Sequence, residues 1–378
     1  MRGEQGPAPA PDGTPPPSRT VTTPVLLALA NAVEEFALAA SGDRPVAAVA
    51  LFQRAPYFAA HQDAWARIAA TAGEGALIAL AGAPPAGLPA GLGCVPLAEH
   101  EPLSREWSVT VLTPRSGATV VGRDLEAVDG SARSLERGRL FAAHWSFRHG
   151  AAHAELLRLR RELGPRLGSQ RTGALDEVLS RVVPVPGTAT DGRHDAAADR
   201  LARQVSAERR RADDALNRLS ELEPGAERDP RSGLPTRAFL ERWTAGSVTG
   251  TLPVGLVLLR VQELGLVQGR HGYRAETAVL QSVARLLGRH VGAAGRAVRV
   301  GREEFLLVLP GLDVAALATA AQRLSEAVAE LSGGYPFVPT PCTAVITRTR
   351  LRPFPLDALW ATLDDAVTAG RAVTLLRT

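Results

Sequence analysis

From Asp229 to the C-terminus, short apolar runs alternate with helically spaced ones, and two of the short runs are separated by only four residues, 301–304. Residues 254–261, 297–300, 305–309, 342–347 and 373–376 read as strands, being short, rich in Val and Leu, and bounded by Gly, Pro or charged residues. The segments 236–243, 275–290, 314–331 and 356–369 repeat apolar residues at helical spacing and read as helices. Two strands that close together form a hairpin, and Gly301 opens the turn, where a positive φ is expected.

Upstream, the short apolar runs 46–52, 76–81 and 107–112 are strand candidates. Helical patterns lie at 24–40, where Val25, Leu26, Leu29, Val33, Phe36 and Ala37 share a face, and at 60–71 and 150–163. This mixture predicts an α/β domain over 23–165. Residues 1–22 hold six prolines and few bulky apolar side chains, and are expected to form a disordered tail. Residues 166–194 read as a linker around one short helical pattern.

Over 195–224, Leu201, Val205, Glu208, Ala212, Ala215, Leu219 and Leu222 alternate spacings of four and three, the pattern of a coiled-coil seam with one polar member. The seam predicts a homodimer through 201–222, with an intramolecular helix as the alternative. Arg209, Arg210 and Arg211 fall mostly outside it, as a solvated face.

The 378 residues suffice for two domains, and 45% hydrophobic but only 4% aromatic content means cores built from Ala, Val and Leu. All 43 basic residues are Arg, yet they exceed the acids by only 4, a weak case for a nucleic-acid partner. The two cysteines, Cys94 and Cys342, fall in different predicted domains without metal-ligand spacing, which fits a reducing cytoplasm. The apolar stretch 25–40 is interrupted by Glu34 and Glu35 and is too short for a bilayer, so no membrane anchor is expected.

The opening segment Asp229-Pro230-Arg231-Ser232-Gly233-Leu234-Pro235-Thr236-Arg237 and the hairpin Arg299-Val300-Gly301-Arg302-Glu303-Glu304-Phe305 resemble, in order, the two signatures of GGDEF domains. The resemblance covers 225–378 and implies a palm-like domain with a central, mostly antiparallel sheet and flanking helices. Active members hold GTP with divalent cations in two half-sites of a dimer and join two GTP into cyclic-di-GMP. That chemistry relies on carboxylate-held Mg²⁺ or Mn²⁺.

By this resemblance Glu303 matches the hairpin's metal-binding acid and Glu304 the acid beside it. The other metal-binding Asp falls on Arg260. Aligned without gaps, the residues that recognise GTP fall on Gln268 and Thr277, and the second hairpin glycine on Arg302. The Arg and Asp of the product-inhibition site fall on Gly292 and Gly295, so that site is expected to be absent. Glu303 and Glu304 are then vestigial, no catalytic residue is expected, and no cofactor is needed unless residual activity uses Mg²⁺ or Mn²⁺, with Glu303 as the metal ligand.

Two readings of these residues stand open. In one, the acids are ordinary hairpin carboxylates, with Glu303 paired to Arg260 or Arg302. In the other, Arg260 and Arg302 converge with Gln268, Thr277 and Gly301 on a metal-free site for GTP, another nucleotide or an anion. The function implied is sensory input coupled to a degenerate output that acts by nucleotide or partner binding, the protein partner being unknown. An active or weakly active diguanylate cyclase and a nucleic-acid-binding regulator are the alternatives.

The N-terminal domain resembles the DICT sensory domain through Leu51-Phe52-Gln53-Arg54, the Glu101 to Trp107 segment, and the 137–147 stretch with His144-Trp145-Ser146. Phe52, Tyr57, Phe58, Trp65, Trp107 and Trp145 read as core anchors or as the lining of a ligand pocket. His61, His144, His149 and His153 read as isolated surface histidines, although His149 and His153 are spaced as a helical pair.

Overall fold

The computed structural model describes residues 17–40, 42–182, 189–222, 227–331 and 341–377. The chain divides into two compact units, Met1–Leu125 with Leu140–Glu208, and Glu126–Arg139 with Arg209–Thr378.

The first unit is built on a seven-stranded mixed sheet, ordered β1-β7-β6-β5-β2-β3-β4. Its strands are β1 (Arg19–Thr22), β2 (Ala47–Arg54), β3 (Ala76–Ala81), β4 (Gly93–Leu97), β5 (Glu106–Leu112), β6 (Gly117–Val128) and β7 (Arg139–Ser146). β2, β3 and β4 run parallel, whereas β5 is antiparallel to both β2 and β6.

Alternation along β2 sends Ala48, Ala50 and Phe52 to one face and Ala47, Val49 and Leu51 to the other, and all six are buried. The first face is covered by α1 (Thr23–Ala39) and α3 (Gln62–Ala72), with short α2 (Ala55–Ala59) leading in. The second is covered by α5 (His149–Leu163) and α6 (Ser169–Arg181).

Several expectations need correction. Residues 19–22 are strand β1, paired with β7 and burying Val21, so the tail expected over 1–22 stops short of them; residues 1–16 lie outside the described residues. Part of the expected linker 166–194 is α6, which buries Leu175 and Val178 against the second face. Two apolar residues one turn apart are enough to dock a helix when a sheet face is open to them. The strands β1, β4, β6 and β7 also went unread.

The aromatics Phe52, Phe58, Trp65, Trp107 and Trp145 are buried in the first-face core, and Tyr57 packs on Trp107 with centroids 5.0 Å apart and rings tilted by 41°. His61 is buried too, not a surface histidine. Its Nδ1 lies 3.0 Å from Glu34 Oε2, and Trp65 Nε1 donates to Glu34 Oε1 at 2.9 Å. His149 Nε2 contacts the Thr113 carbonyl at 2.9 Å, and no metal-holding group of three His, Cys, Asp or Glu occurs among the described residues.

α7 (Ala189–Leu222) starts earlier than expected. Asp195 anchors it by accepting from Ser146 Oγ and Phe147 N, and Ala202 and Val205 pack on the first-face core. Its predicted seam is otherwise exposed at Leu201, Glu208, Ala212, Ala215 and Leu219; the Leu222 side chain lies outside the described residues.

The second unit includes α4 (Leu135–Gly138) and α8 (Arg237–Thr244), followed by β8 (Val254–Val261), α9 (Leu264–His290), β9 (Arg296–Arg299), β10 (Glu304–Pro310), α10 (Val314–Glu330), β11 (Cys342–Thr349), α11 (Leu356–Thr368) and β12 (Val373–Leu375). Its sheet is ordered β12-β11-β8-β10-β9, antiparallel throughout except for β11 with β12. α9 and α10 pack on one face, and α8 and α11 on the other.

Each Val, Leu, Ile or Phe side chain so buried contributes about 1.5–3 kcal/mol before entropy is counted. The helix expected over 275–290 is the second piece of α9, preceded by a first piece from Leu264 that was not expected. Gly272, at φ 84°, separates the two pieces, a backbone state that glycine reaches without strain. Among the described residues, no helix is long and apolar enough to cross a membrane.

Candidate functional site

The two signature segments meet through Arg299, the last residue of β9. Its backbone N donates to Pro235 O at 2.8 Å, and its largely buried guanidinium reaches Asp229 Oδ2 at 2.7 Å, Gly301 O at 3.1 Å and Arg302 O at 3.0 Å. One side chain therefore fixes the hairpin carbonyls to the opening segment. Burial alone would raise the Asp229 pKa, but hydrogen bonds from Ser232 and Arg299 outweigh it and hold the carboxyl below its usual value.

The hairpin closes with Val300 N and Gly301 N both donating to Glu304 O. Gly301 does not adopt the positive φ expected of it. A Cβ at 301 would meet the Glu304 carboxylate folded back over the turn, which would have to swing aside.

The two hairpin acids take different partners. Glu304 stands opposite Arg260 in the β10–β8 ladder, and Arg260 Nε donates to Glu304 Oε1 at 2.8 Å. Arg260 Nη1 continues to Asp364 Oδ1 on α11 at 2.7 Å. Partial burial opposes the Arg260 charge, but its bonds to Asp364 and Glu304 prevail and hold its pKa above the usual value.

Glu303 Oε1 instead accepts from Gly265 N at 2.7 Å, in the first turn of α9, while exposed Arg302 donates to Gly265 O at 2.7 Å. The pairing of Glu303 with Arg260 or Arg302 is therefore corrected: Arg260 pairs with Glu304. The convergence of Arg260 and Arg302 is corrected as well, since each is directed to its own partners.

Gln268 and Thr277 lie on different pieces of α9, either side of the Gly272 break. Gln268 is exposed, and Thr277 Oγ1 is buried without a hydrogen-bond partner among the described residues. Beside Thr277, Glu276 is 1% exposed and accepts from Arg231 Nη1 at 2.9 Å. Gly292 and Gly295 lie in the turn between α9 and β9, where Gly292 has φ 63° and Gly295 passes too close to Val291 O for a Cβ.

Sequence reasoning missed Asp364, Glu276 and Arg299 as site residues. Arg299 could have been found from its place inside the quoted hairpin motif. For Asp364, 104 residues from Arg260, no local signal exists.

Two family models match the chain. Residues 226–340 match the family model described as Diguanylate cyclase, GGDEF domain, and residues 8–125 match that described as Sensory domain in DIguanylate Cyclases and Two-component system, abbreviated DICT. The chain thus carries a DICT sensory domain followed by a GGDEF domain.

Similar solved structures include the GGDEF domain of DgcB from Caulobacter crescentus in complex with c-di-GMP, at 18% identity, TM-score 0.34, and coverage of 40% of this chain and 97% of that one. The coiled coil and GGDEF domain of the same protein matches at 20% identity, TM-score 0.35, covering 48% and 100%. The diguanylate cyclase SiaD in complex with its activator SiaC, from Pseudomonas aeruginosa, matches at 22% identity, TM-score 0.35, covering 59% and 85%. No curated protein matches the chain.

Proposed function

We propose that this chain is a cytoplasmic signalling protein in which sensory input reaches a GGDEF domain that makes no cyclic-di-GMP and acts by binding a nucleotide or a protein partner. The pairing of a DICT with a GGDEF domain points to cyclic-di-GMP-type signalling. One observation carries the silent-output reading: the Arg260 guanidinium lies between Glu304 and Asp364, bonded to both.

A divalent cation needs oxygen ligands there, and a fixed positive charge repels it. The residues present do not fit the metal, so no catalytic step is derived through it. Glu303 alone, with one oxygen taken by Gly265 N, is a poor substitute.

In this reading residues 23–165 are the sensor, 225–378 the output, and the helix between them dimerises through the seam of 201–222, exposed at Leu201, Glu208, Ala212, Ala215 and Leu219. Calorimetry of the full chain with GTP, with and without Mg²⁺, tests the central point. Binding that ignores Mg²⁺, or no binding, agrees with the proposal; tight GTP binding that requires Mg²⁺ contradicts it.

A further inference from the structure

Val205 belongs to two patterns along α7. In the first, Asp195, Ala198, Asp199, Ala202 and Val205 are spaced as one side of a helix, and this side packs within the first unit. Ala202 is buried in the first-face core, and Ala198 and Val205 pack against it. Asp195 accepts from Ser146 Oγ at 3.1 Å and from Phe147 N at 2.8 Å, and Arg148 Nε lies 2.9 Å from its Oδ2. One turn on, Asp199 pairs with Arg19 of β1, whose guanidinium lies 5.4 Å from the centre of the Trp145 ring. Side chains from β1 and from the end of β7 thus hold residues 195–205 of the helix against the sensory core.

The second pattern is the heptad seam that begins at Leu201 and ends at Leu222. A seam residue must be free of its own fold to enter a hole on a second helix, and Val205 is the one member that packs on the first-face core among the described residues. Glu208, the next member, is polar. With Val205 withdrawn, no apolar seam residue is left between Leu201 and Ala212. The docked helix therefore offers an unbroken pattern only over 212–222, about one and a half heptads, whereas the free helix offers about three over 201–222. Coiled coils take about three or four sustained heptads.

We infer that the docking of residues 195–205 on the first unit is an autoinhibitory contact, which withdraws Val205 from the seam and holds back pairing with a second copy of this chain. The inference rests on the seam-dimer reading under Proposed function and adds its regulation. The contact is shallow enough to release. Its apolar part is two alanines and one valine, and water reaches all four side chains of its ion pairs. A signal that shifts β1 or the end of β7 removes the anchors, and the freed helix gains a partner helix in their place.

Sedimentation equilibrium of the full chain gives the dimer dissociation constant for the wild type, for Asp195→Ala with Asp199→Ala, and for each of these with Leu219→Glu added. Both Asp positions lie off the seam; Leu219 lies on it, 57% exposed and outside the docked stretch. Undocking should tighten the dimer at least about tenfold, and Leu219→Glu should weaken it at least about tenfold in both backgrounds. A constant unchanged by undocking overturns the autoinhibition while leaving the seam dimer intact. Absence of a dimer in every chain, or association that Leu219→Glu does not weaken, overturns the seam reading and the autoinhibition with it. If the double substitution melts well below the wild type, Asp199→Ala alone takes its place; it should tighten the dimer about threefold, and no tightening overturns the autoinhibition.

Discussion

Two polar clusters, one in each unit, use the same charged chemistry under different degrees of burial. In the first unit, Glu34 sits at 4% exposure, holding His61 and Trp65 inside a core of aromatic rings. In the second, Arg260 and Glu304 are partly open to solvent, and Asp364 is largely exposed. The first cluster is an anchor whose loss leaves buried polar groups unpaired. In the proposed reading the second is a plug that keeps a cation out, open enough for water to compensate its loss.

The largest effect should follow Glu34→Ala. It leaves His61 Nδ1 and the Trp65 N–H without their partner in a buried core, and a loss of about 3 kcal/mol is expected in urea unfolding of the full chain followed by tryptophan fluorescence. Glu34→Gln keeps a hydrogen-bonding oxygen and should recover part of this. If Glu34→Ala cost no more than Arg260→Ala, the contrast between anchor and plug would fail.

Next in size is Glu276→Ala, which leaves Arg231 without its buried partner. A loss of about 2–3 kcal/mol in the same measurement is expected, below the buried-pair maximum because Arg231 itself is partly exposed. Arg260→Ala should cost about 1 kcal/mol or less, since solvent reaches the pair. A much larger loss would make the plug a core element.

Acid should distinguish the units more gently. The Asp229 pKa is depressed in the folded state, so it binds its proton more weakly folded than unfolded. Its contribution is complete above the unfolded pKa and is lost as pH falls through the folded value. Arg299→Gln removes one of the bonds that lower this pKa, and should flatten the acid limb of the stability profile. An unchanged limb would remove Asp229 from the account.

Much of the second unit was legible because its strands are uninterrupted apolar runs; β8 and β10 lie within a residue of where the sequence placed them. By contrast, β6 contains Arg123, Asp124 and Glu126, and β4 contains Pro96, so their local composition argues against strand. Their neighbours in the sheet decide the matter. The first piece of α9 was unread because Gly269 and Gly272 break the pattern.

At the site, the cross-strand register accounts for Arg260 facing Glu304, and that much follows from two strands and a hairpin. Asp364 and Glu276 were hidden because they reach their partners through tertiary packing. The turn at Gly301 differs from expectation too, since its φ is not positive and the Glu304 carboxylate three residues away folds back over it.

The most direct test is turnover. The purified chain incubated with GTP and Mg²⁺ or Mn²⁺ should form no cyclic-di-GMP, and Arg260→Asp, which places a carboxylate between Glu304 and Asp364, should bind Mn²⁺ more tightly than the wild type. Cyclic-di-GMP made by the wild-type protein, and lost in Glu303→Ala, would contradict a silent output.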